Sequence, residues 1–221
     1  MTEIDCFTLF KTSQPKTFKA GTTIFAEGDD AQSVMLIEKG RAEIFITSKS
    51  GRKSVLAYMG PGEVLGEIAA LDGGGRTATA VAASDIAVRV LARDNIMKFV
   101  SERPNVATAI IAELCRKARN ATDMYAVQTI NEGSERLARV LLRLFDKWGA
   151  DEGAGRRLEE RFSQSDIGEF CGLARENVNR LIKSWADEGI LKLEGRQLIL
   201  LDRAALEQLS NLDEDDLNFD R

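Results

Sequence analysis

The sequence predicts an α+β protein: an antiparallel β-domain, then a long helix, then a helix-turn-helix with a β-hairpin behind it. Three observations carry this. Short apolar runs separated by glycine turns fill the region from about Thr17 to Leu91. Apolar and small residues then recur at alternating spacings of four and three from Ala107 to Gln128, and two helical segments meet around Gly168, Gly172 and Val178. Short strands at such spacing read as an antiparallel sandwich or small barrel, a four-three repeat as a helix seam, and the last pattern as a helix pair meeting at a steep angle.

The β-like runs are Thr22 to Ala26, Val34 to Ile37, Ala42 to Ile46 and Val55 to Tyr58, each followed by a turn containing glycine. Val34-Met35-Leu36-Ile37 is apolar throughout and suits a central strand, whereas Ala42, Ile44 and Ile46 alternate with Glu43, Phe45 and Thr47 and suit a half-buried one. Thr77 to Ala83 and Ile86 to Leu91 supply two more strands. Arg93 to Val100 reads as a short helix that ends before Pro104, and a long helix opens at Pro104 or Asn105. Its seam is Ala107, Ile111, Leu114, Ala118, Ala121, Tyr125 and Gln128. Such a seam needs a partner, either its own β-domain or the same helix of a second chain; the parallel homodimer is the expectation, with Ile111, Leu114, Ala118, Ala121 and Tyr125 at its centre.

The helical pattern breaks around Asn131-Glu132-Gly133, because glycine costs about 1 kcal/mol in a helix interior relative to alanine. The expected domains are therefore 1–103, 104–131 and 132–221. Ser134 is expected to cap a helix from Glu135 to Trp148, followed by a polar loop from Gly149 to Gly155. Ser163, with Asp166 three residues on, opens a helix that ends at Gly172. In the next helix Val178, Leu181, Ile182 and Trp185 form a buried stripe opposite Arg175, Glu176, Asn179 and Arg180. Ile190 to Leu193 and Leu198 to Leu201 make the closing hairpin, the wing.

Two stretches carry chemistry. Residues 66 to 82 place Glu67 at the start of a short helix-like run, then Gly73-Gly74-Gly75, then Arg76 beside Thr77. Glycine lets backbone N–H groups converge on an anion, and an arginine fork holds two phosphate oxygens. Glu67 is suited to accept hydrogen bonds from sugar hydroxyls of the same ligand. The second stretch is the polar face of the last long helix. Arginine pairs with guanine and glutamate accepts from cytosine in the major groove; Arg156, Arg157, Arg161 and Lys183 are expected phosphate contacts.

Composition narrows the classes. The chain has 221 residues, 44% apolar and 29% charged, enough for two self-sufficient domains. Histidine is absent, which removes the commonest general base and metal ligand, and no nucleophile–base pair or metal cluster stands out, so an enzyme is not expected. Cys6, Cys115 and Cys171 are scattered singly and read as reduced thiols. No signal peptide or membrane-length apolar run occurs, so a cytoplasmic protein is expected. The net charge of −5 is matched by residues 202–221, which hold seven carboxylates and two arginines and read as an acidic tail. The rest is neutral, leaving local charge to decide whether DNA is a partner.

The 66–82 stretch resembles the phosphate-binding cassette of cyclic-nucleotide-binding domains, and Arg175 to Arg180 is similar to the recognition helix of the catabolite activator family. Cassette, long helix, hinge and winged helix in that order resemble the catabolite activator and fumarate-nitrate regulator superfamily over nearly the whole chain. The resemblance implies a jelly-roll-like double-stranded β-helix, or β-roll, a dimerisation helix and a winged helix-turn-helix. It implies a nucleotide site of Gly66, Glu67, Ile68, Ala69, Arg76 and Thr77, completed by Ala121 and Thr122 on the long helix. It also implies a DNA surface of Ser163, Arg175, Glu176, Asn179, Arg180 and Lys183, a palindromic double-stranded site, a homodimer and RNA polymerase as a further partner. Cys6 alone does not suffice for the iron–sulfur cluster of the oxygen-sensing branch, and the haem-sensing branch uses histidine. A cyclic nucleotide is the expected effector, cAMP ahead of cGMP with response to both open, since one of the family's two adjacent hydroxyl residues that meet adenine is alanine here and Thr77 directly after Arg76 resembles the arrangement in cGMP-binding domains. A regulator answering to another small effector, or to none, stays open.

Overall fold

The computed structural model describes residues 10, 13–51, 53–153, 155–195 and 197–211. Cys6, Arg196 and most of the acidic tail lie outside them. The chain forms two compact units, which meet within the long helix between Ala121 and Thr122.

In the first unit, two antiparallel four-stranded sheets form the β-roll. β1 (Gln14–Phe18), β8 (Ile86–Ala92), β3 (Ser33–Lys39) and β6 (Val64–Leu65) make one sheet in that order; β2 (Thr23–Phe25), β7 (Thr79–Ala82), β4 (Ala42–Thr47) and β5 (Lys53–Met59) make the other. β3 is central, as its unbroken apolar run predicts. Met35 and Ile37 join Ala42, Leu65, Ala82 and Val88 in one core, while Val34 and Leu36 join Ala70, Leu91, Ile96 and Val106 in a second.

β4 departs from the expected alternation. Ala42 and Glu43 are both buried and Ile46 is exposed. The pairing shifts between Ile44 and Phe45, where Leu56 of β5 has no partner, and such a bulge changes which side chains share a face. Glu43 tolerates burial because Lys53 Nζ and Tyr58 Oη both donate to it, at 2.8 and 3.2 Å.

α1 (Glu67–Asp72) interrupts the roll between β6 and β7, which belong to different sheets. α2 (Arg93–Glu102) stops before Pro104, and α3 runs from Pro104 to Thr129 with proline in its first turn. Val106 is buried in the second core and Ile110 packs against it, so α3 does lie on its own β-domain, but along a stripe beside the predicted seam. Most of the seam faces outward: Ile111 is 59% and Tyr125 73% exposed and Ala118 and Ala121 are exposed as well, whereas Leu114 is half-buried.

In the second unit, α4 (Gly133–Trp148) packs on α5 (Gln164–Cys171) and α7 (Arg203–Leu209), and α5 packs on α6 (Arg175–Asp187). The N-cap of α4 is Glu132 rather than Ser134, whose hydroxyl instead donates to Glu132 Oε1 at 3.0 Å. The break between α3 and α4 thus falls at residues 130–132. Arg136 ties it down by donating to the carbonyls of Ile130, Asn131 and Cys171.

The segment 149–155, expected as a loop, instead forms β9 (Gly149–Glu152) and starts β10 (Gly155–Leu158). With β11 (Leu191–Glu194) and β12 (Gln197–Leu200) they complete a four-stranded sheet ordered β11-β12-β10-β9. The wing is half of this sheet. Residues 202–209 are likewise folded rather than tail: Asp202 accepts from Ala205 N and caps α7, whose Leu206 is fully buried. Among the described residues no helix is long and apolar enough to cross a membrane.

Candidate functional site

The cassette is organised by one buried cation. Arg76 is 5% exposed, with Nη1 donating to Gly66 O and Nη2 to Ser33 O, both at 2.7 Å. The Phe25 ring lies 4.4 Å from its guanidinium carbon. Burial lowers the pKa of the guanidinium below its ordinary value, opposed by the charges of Glu67, Asp29 and Asp30. Among the described residues its Nε has no hydrogen-bond partner. A desolvated cation with a spare donor is a strong attractor for an anion.

Gly66 is required by this arrangement. Its φ of 78° is left-handed, and a Cβ there would lie 2.0 Å from Arg76 Nη1. The glycine triplet does something other than expected. Gly73 closes α1 in the left-handed conformation with its N–H on Ala69 O, and Gly74 N donates to Asp72 Oδ1 at 2.8 Å. Gly75 lets the loop approach Gly28, whose carbonyl oxygen would be 3.1 Å from a Cβ. Two reciprocal backbone bonds, Gly28 N to Arg76 O and Arg76 N to Asp29 O, then fix Arg76 at its post. The triplet therefore shapes and anchors the loop, and two of its three N–H groups are spent within it. The amides at the start of α1, which has no side-chain cap, are better placed to meet an anion.

Glu67 is half-buried beside the arginine. Lys117 Nζ of α3 bonds both Glu67 Oε1 and Val64 O, each at 2.8 Å. Lys117 is the residue that sequence reading missed, because a partner fifty residues away leaves no local pattern. Ile68 and Thr77 are exposed; Ala69 is buried, so only its backbone is available. Ala121 stands one turn beyond Lys117 on α3 and is exposed, and Thr122 is the first residue of the second unit.

The second constellation is a helix-turn-helix fixed by sterics. Ser163 and Asp166 complete a reciprocal capping box, with Asp166 N to Ser163 Oγ at 3.1 Å and Ser163 N to Asp166 Oδ2 at 2.8 Å. Gly172 (φ 68°) ends α5, and Leu173 N returns to Gly168 O at 2.9 Å. A Cβ on Gly168 would lie 2.6 Å from Leu173 O and 3.6 Å from Val178 Cγ2. Gly168→Val is therefore expected to lower unfolding stability by about 1–3 kcal/mol, because the clash is with backbone. Urea denaturation of the full chain measures this, and an unchanged midpoint contradicts it.

Val178, Ile182 and Trp185 bury one side of α6. Arg175, Glu176, Arg180 and Lys183 are exposed on the rest, and Asn179 is half-buried, accepting from Gln164 Nε2 at 3.0 Å. Two expected phosphate contacts are otherwise engaged. Arg157 bonds Glu152, Gln197 and Glu194, crossing the wing sheet, and Arg156 donates to Phe145 O and Asp151. Lys192 and Arg157 hold the Glu194 carboxyl down at about 2. Cys171 is buried at the end of α5, and burial pushes its thiol up to about 11, which marks it as core rather than reactive.

Residues 15–103 match the cyclic nucleotide-binding domain family, and residues 135–209 match the Crp-like helix-turn-helix domain family. The cyclic AMP receptor protein of Thermus thermophilus is 30% identical over 197 residues, 89% of this chain and 88% of that protein. A CRP-like cAMP-activated global transcriptional regulator of Mycobacterium tuberculosis is 29% identical over 198 residues, 90% and 88% of the two chains. Among solved structures, FixK2 from Bradyrhizobium japonicum superposes with a TM-score of 0.83 at 26% identity, covering 91% of this chain and 99% of that one.

Proposed function

The chain belongs to the catabolite activator and fumarate-nitrate regulator family of transcription regulators, and we propose that it is a cytoplasmic homodimer whose DNA binding answers to a cyclic nucleotide, cAMP ahead of cGMP. The observation that carries the effector reading is Arg76: a buried guanidinium with a spare Nε–H, framed by the N-terminal end of α1. A cyclic phosphate accepts from that Nε–H and brings a negative charge into direct contact with the guanidinium. Glu67 accepts from the ribose 2′-hydroxyl while Lys117 keeps its charge balanced, and Ala121 and Thr122 meet the base.

This arrangement gives the ligand a lever. Glu67 is ion-paired to α3, so whatever engages the carboxylate also bears on the helix that carries the exposed Ile111, Ala118, Ala121 and Tyr125. Those residues form the dimer seam, an exposed apolar stripe with small residues at its centre. In the dimer, a ligand preferring one setting of the two α3 helices shifts the population toward it. Across the hinge at 130–132, that setting decides whether the two α6 helices reach successive major grooves of a palindromic site.

The test is a thermodynamic square. cAMP and cGMP are titrated calorimetrically against the full chain, with and without a palindromic duplex. cAMP is expected to tighten DNA binding by roughly 5- to 150-fold, and DNA to tighten cAMP by the same factor. DNA affinity indifferent to both nucleotides transfers the protein to the reading with another effector or none.

A further inference from the structure

We infer that Gln164 determines which base edge Asn179 reads, by holding the Asn179 carboxamide so that its donor rather than its acceptor is presented to the major groove. This rests on the proposed role of α6 as the DNA-reading helix.

The geometry comes from the joint between the two helices. Gln164 is the first residue of α5, placed by the Ser163–Asp166 capping box, and Asn179 lies one turn into α6. The absence of a Cβ at Gly168 lets α5 approach Leu173 and Val178 closely at this joint. Gln164 Nε2 then donates to Asn179 Oδ1 at 3.0 Å across the joint, with both residues half-buried. Neighbouring Arg175, Glu176 and Arg180 are exposed, so Asn179 is the member of the polar face whose orientation the protein itself fixes.

A carboxamide has two chemically opposite ends. Left to rotate, asparagine presents oxygen and nitrogen together to adenine, accepting from N6 and donating to N7. Here Oδ1 is turned toward α5, and Nδ2, with two hydrogens, is directed away from Gln164. A lone donor fits the acceptor-only edges, guanine O6 and N7 or thymine O4, and meets the cytosine N4 amino group donor to donor. Gln164 is thus a positioning residue: it touches no base, and it sets specificity through Asn179.

The experiment reads ratios rather than affinities, using the full chain with cAMP and a library of duplexes randomised over one half-site. Asn179→Ala identifies the base position that Asn179 reads, as the one whose preference collapses. At that position the wild type is expected to favour guanine or thymine over cytosine by roughly tenfold. Gln164→Glu places an obligate acceptor at the joint, so the amide turns over, Nδ2 bonds the glutamate and Oδ1 faces the groove. The preference is expected to invert toward cytosine or adenine, whatever uniform loss the added charge causes. Gln164→Leu, which keeps the volume and removes the hydrogen bond, is expected to flatten it.

A preference unchanged in Gln164→Glu overturns the inference, as does a wild type that favours cytosine or an Asn179→Ala variant that loses preference nowhere. In those cases Arg180→Ala still relaxing its own base position leaves the α6 reading standing. A wild type that selects no sequence at all overturns both.

Discussion

Arg76→Ala is expected to weaken cAMP binding at least about a hundredfold. The guanidinium supplies charge-assisted hydrogen bonds worth about 1.5–3 kcal/mol each, and two of them correspond to that factor or more. The same side chain also holds Gly66 O and Ser33 O, so its removal loosens the entry to α1 as well as deleting the counter-charge. Two further variants separate these roles. Arg76→Lys keeps the charge and loses the planar fork, and is expected to recover only part of the affinity. Gly66→Ala keeps the arginine but places a Cβ 2.0 Å from Nη1 on a left-handed residue, and is expected to lose nearly as much by displacing it. Isothermal calorimetry on the folded full chain measures all three. Normal affinity in Arg76→Ala sinks the assignment of the cassette as the nucleotide site.

The residues that were legible in the sequence are those whose reasons are local. Val34 to Ile37 announces a strand buried on both faces, and the β-roll places Met35 and Ile37 on one side and Val34 and Leu36 on the other. Gly168, Gly172 and Val178 announce a tight helical joint because a small residue, a left-handed turn and a buried branched residue suffice to build one. β9 and β10 were hidden because their run of glycine, acids and arginines carries no alternation. What makes them strands is pairing with each other and, for β10, with β12 some forty positions away, where Arg157 also bonds Gln197. α7 was concealed by the acidic composition around it, although Asp202 is a helix cap rather than a solvating charge. Within the cassette, residue types suggested an anion cradle correctly located, but the triplet's amides were assigned to the ligand when Ala69 O and Asp72 take two of them. Lys117 belongs to the same class as β10. Its importance exists only once α3 lies against β6 and α1, and neither end of the contact advertises the other.

Arg180→Ala is expected to weaken binding to the specific operator by about 1–3 kcal/mol, roughly 5- to 150-fold, while leaving cAMP affinity unchanged. The reason lies in what anchors the helix around it. Val178 and Ile182 are buried on either side of position 180, so α6 is clamped from beneath and Arg180 is carried on its outer face. Truncating an exposed side chain there removes a base contact without disturbing the joint. Arg157 is the instructive contrast: its guanidinium is committed to Glu152, Gln197 and Glu194, so its loss is expected to act on the wing sheet rather than on base choice. Lys183, exposed one turn past Arg180, is the control for electrostatics. Lys183→Ala is expected to weaken specific and random DNA alike and to reduce the slope of log K against log salt by about 0.9, whereas Arg180→Ala lowers the specific-to-random ratio at one base position. Fluorescence anisotropy on matched and single-substituted duplexes at several salt concentrations distinguishes the two. If Arg180→Ala weakens random and specific DNA equally, Arg180 holds backbone rather than base, and sequence reading passes to Arg175, Glu176 and Asn179.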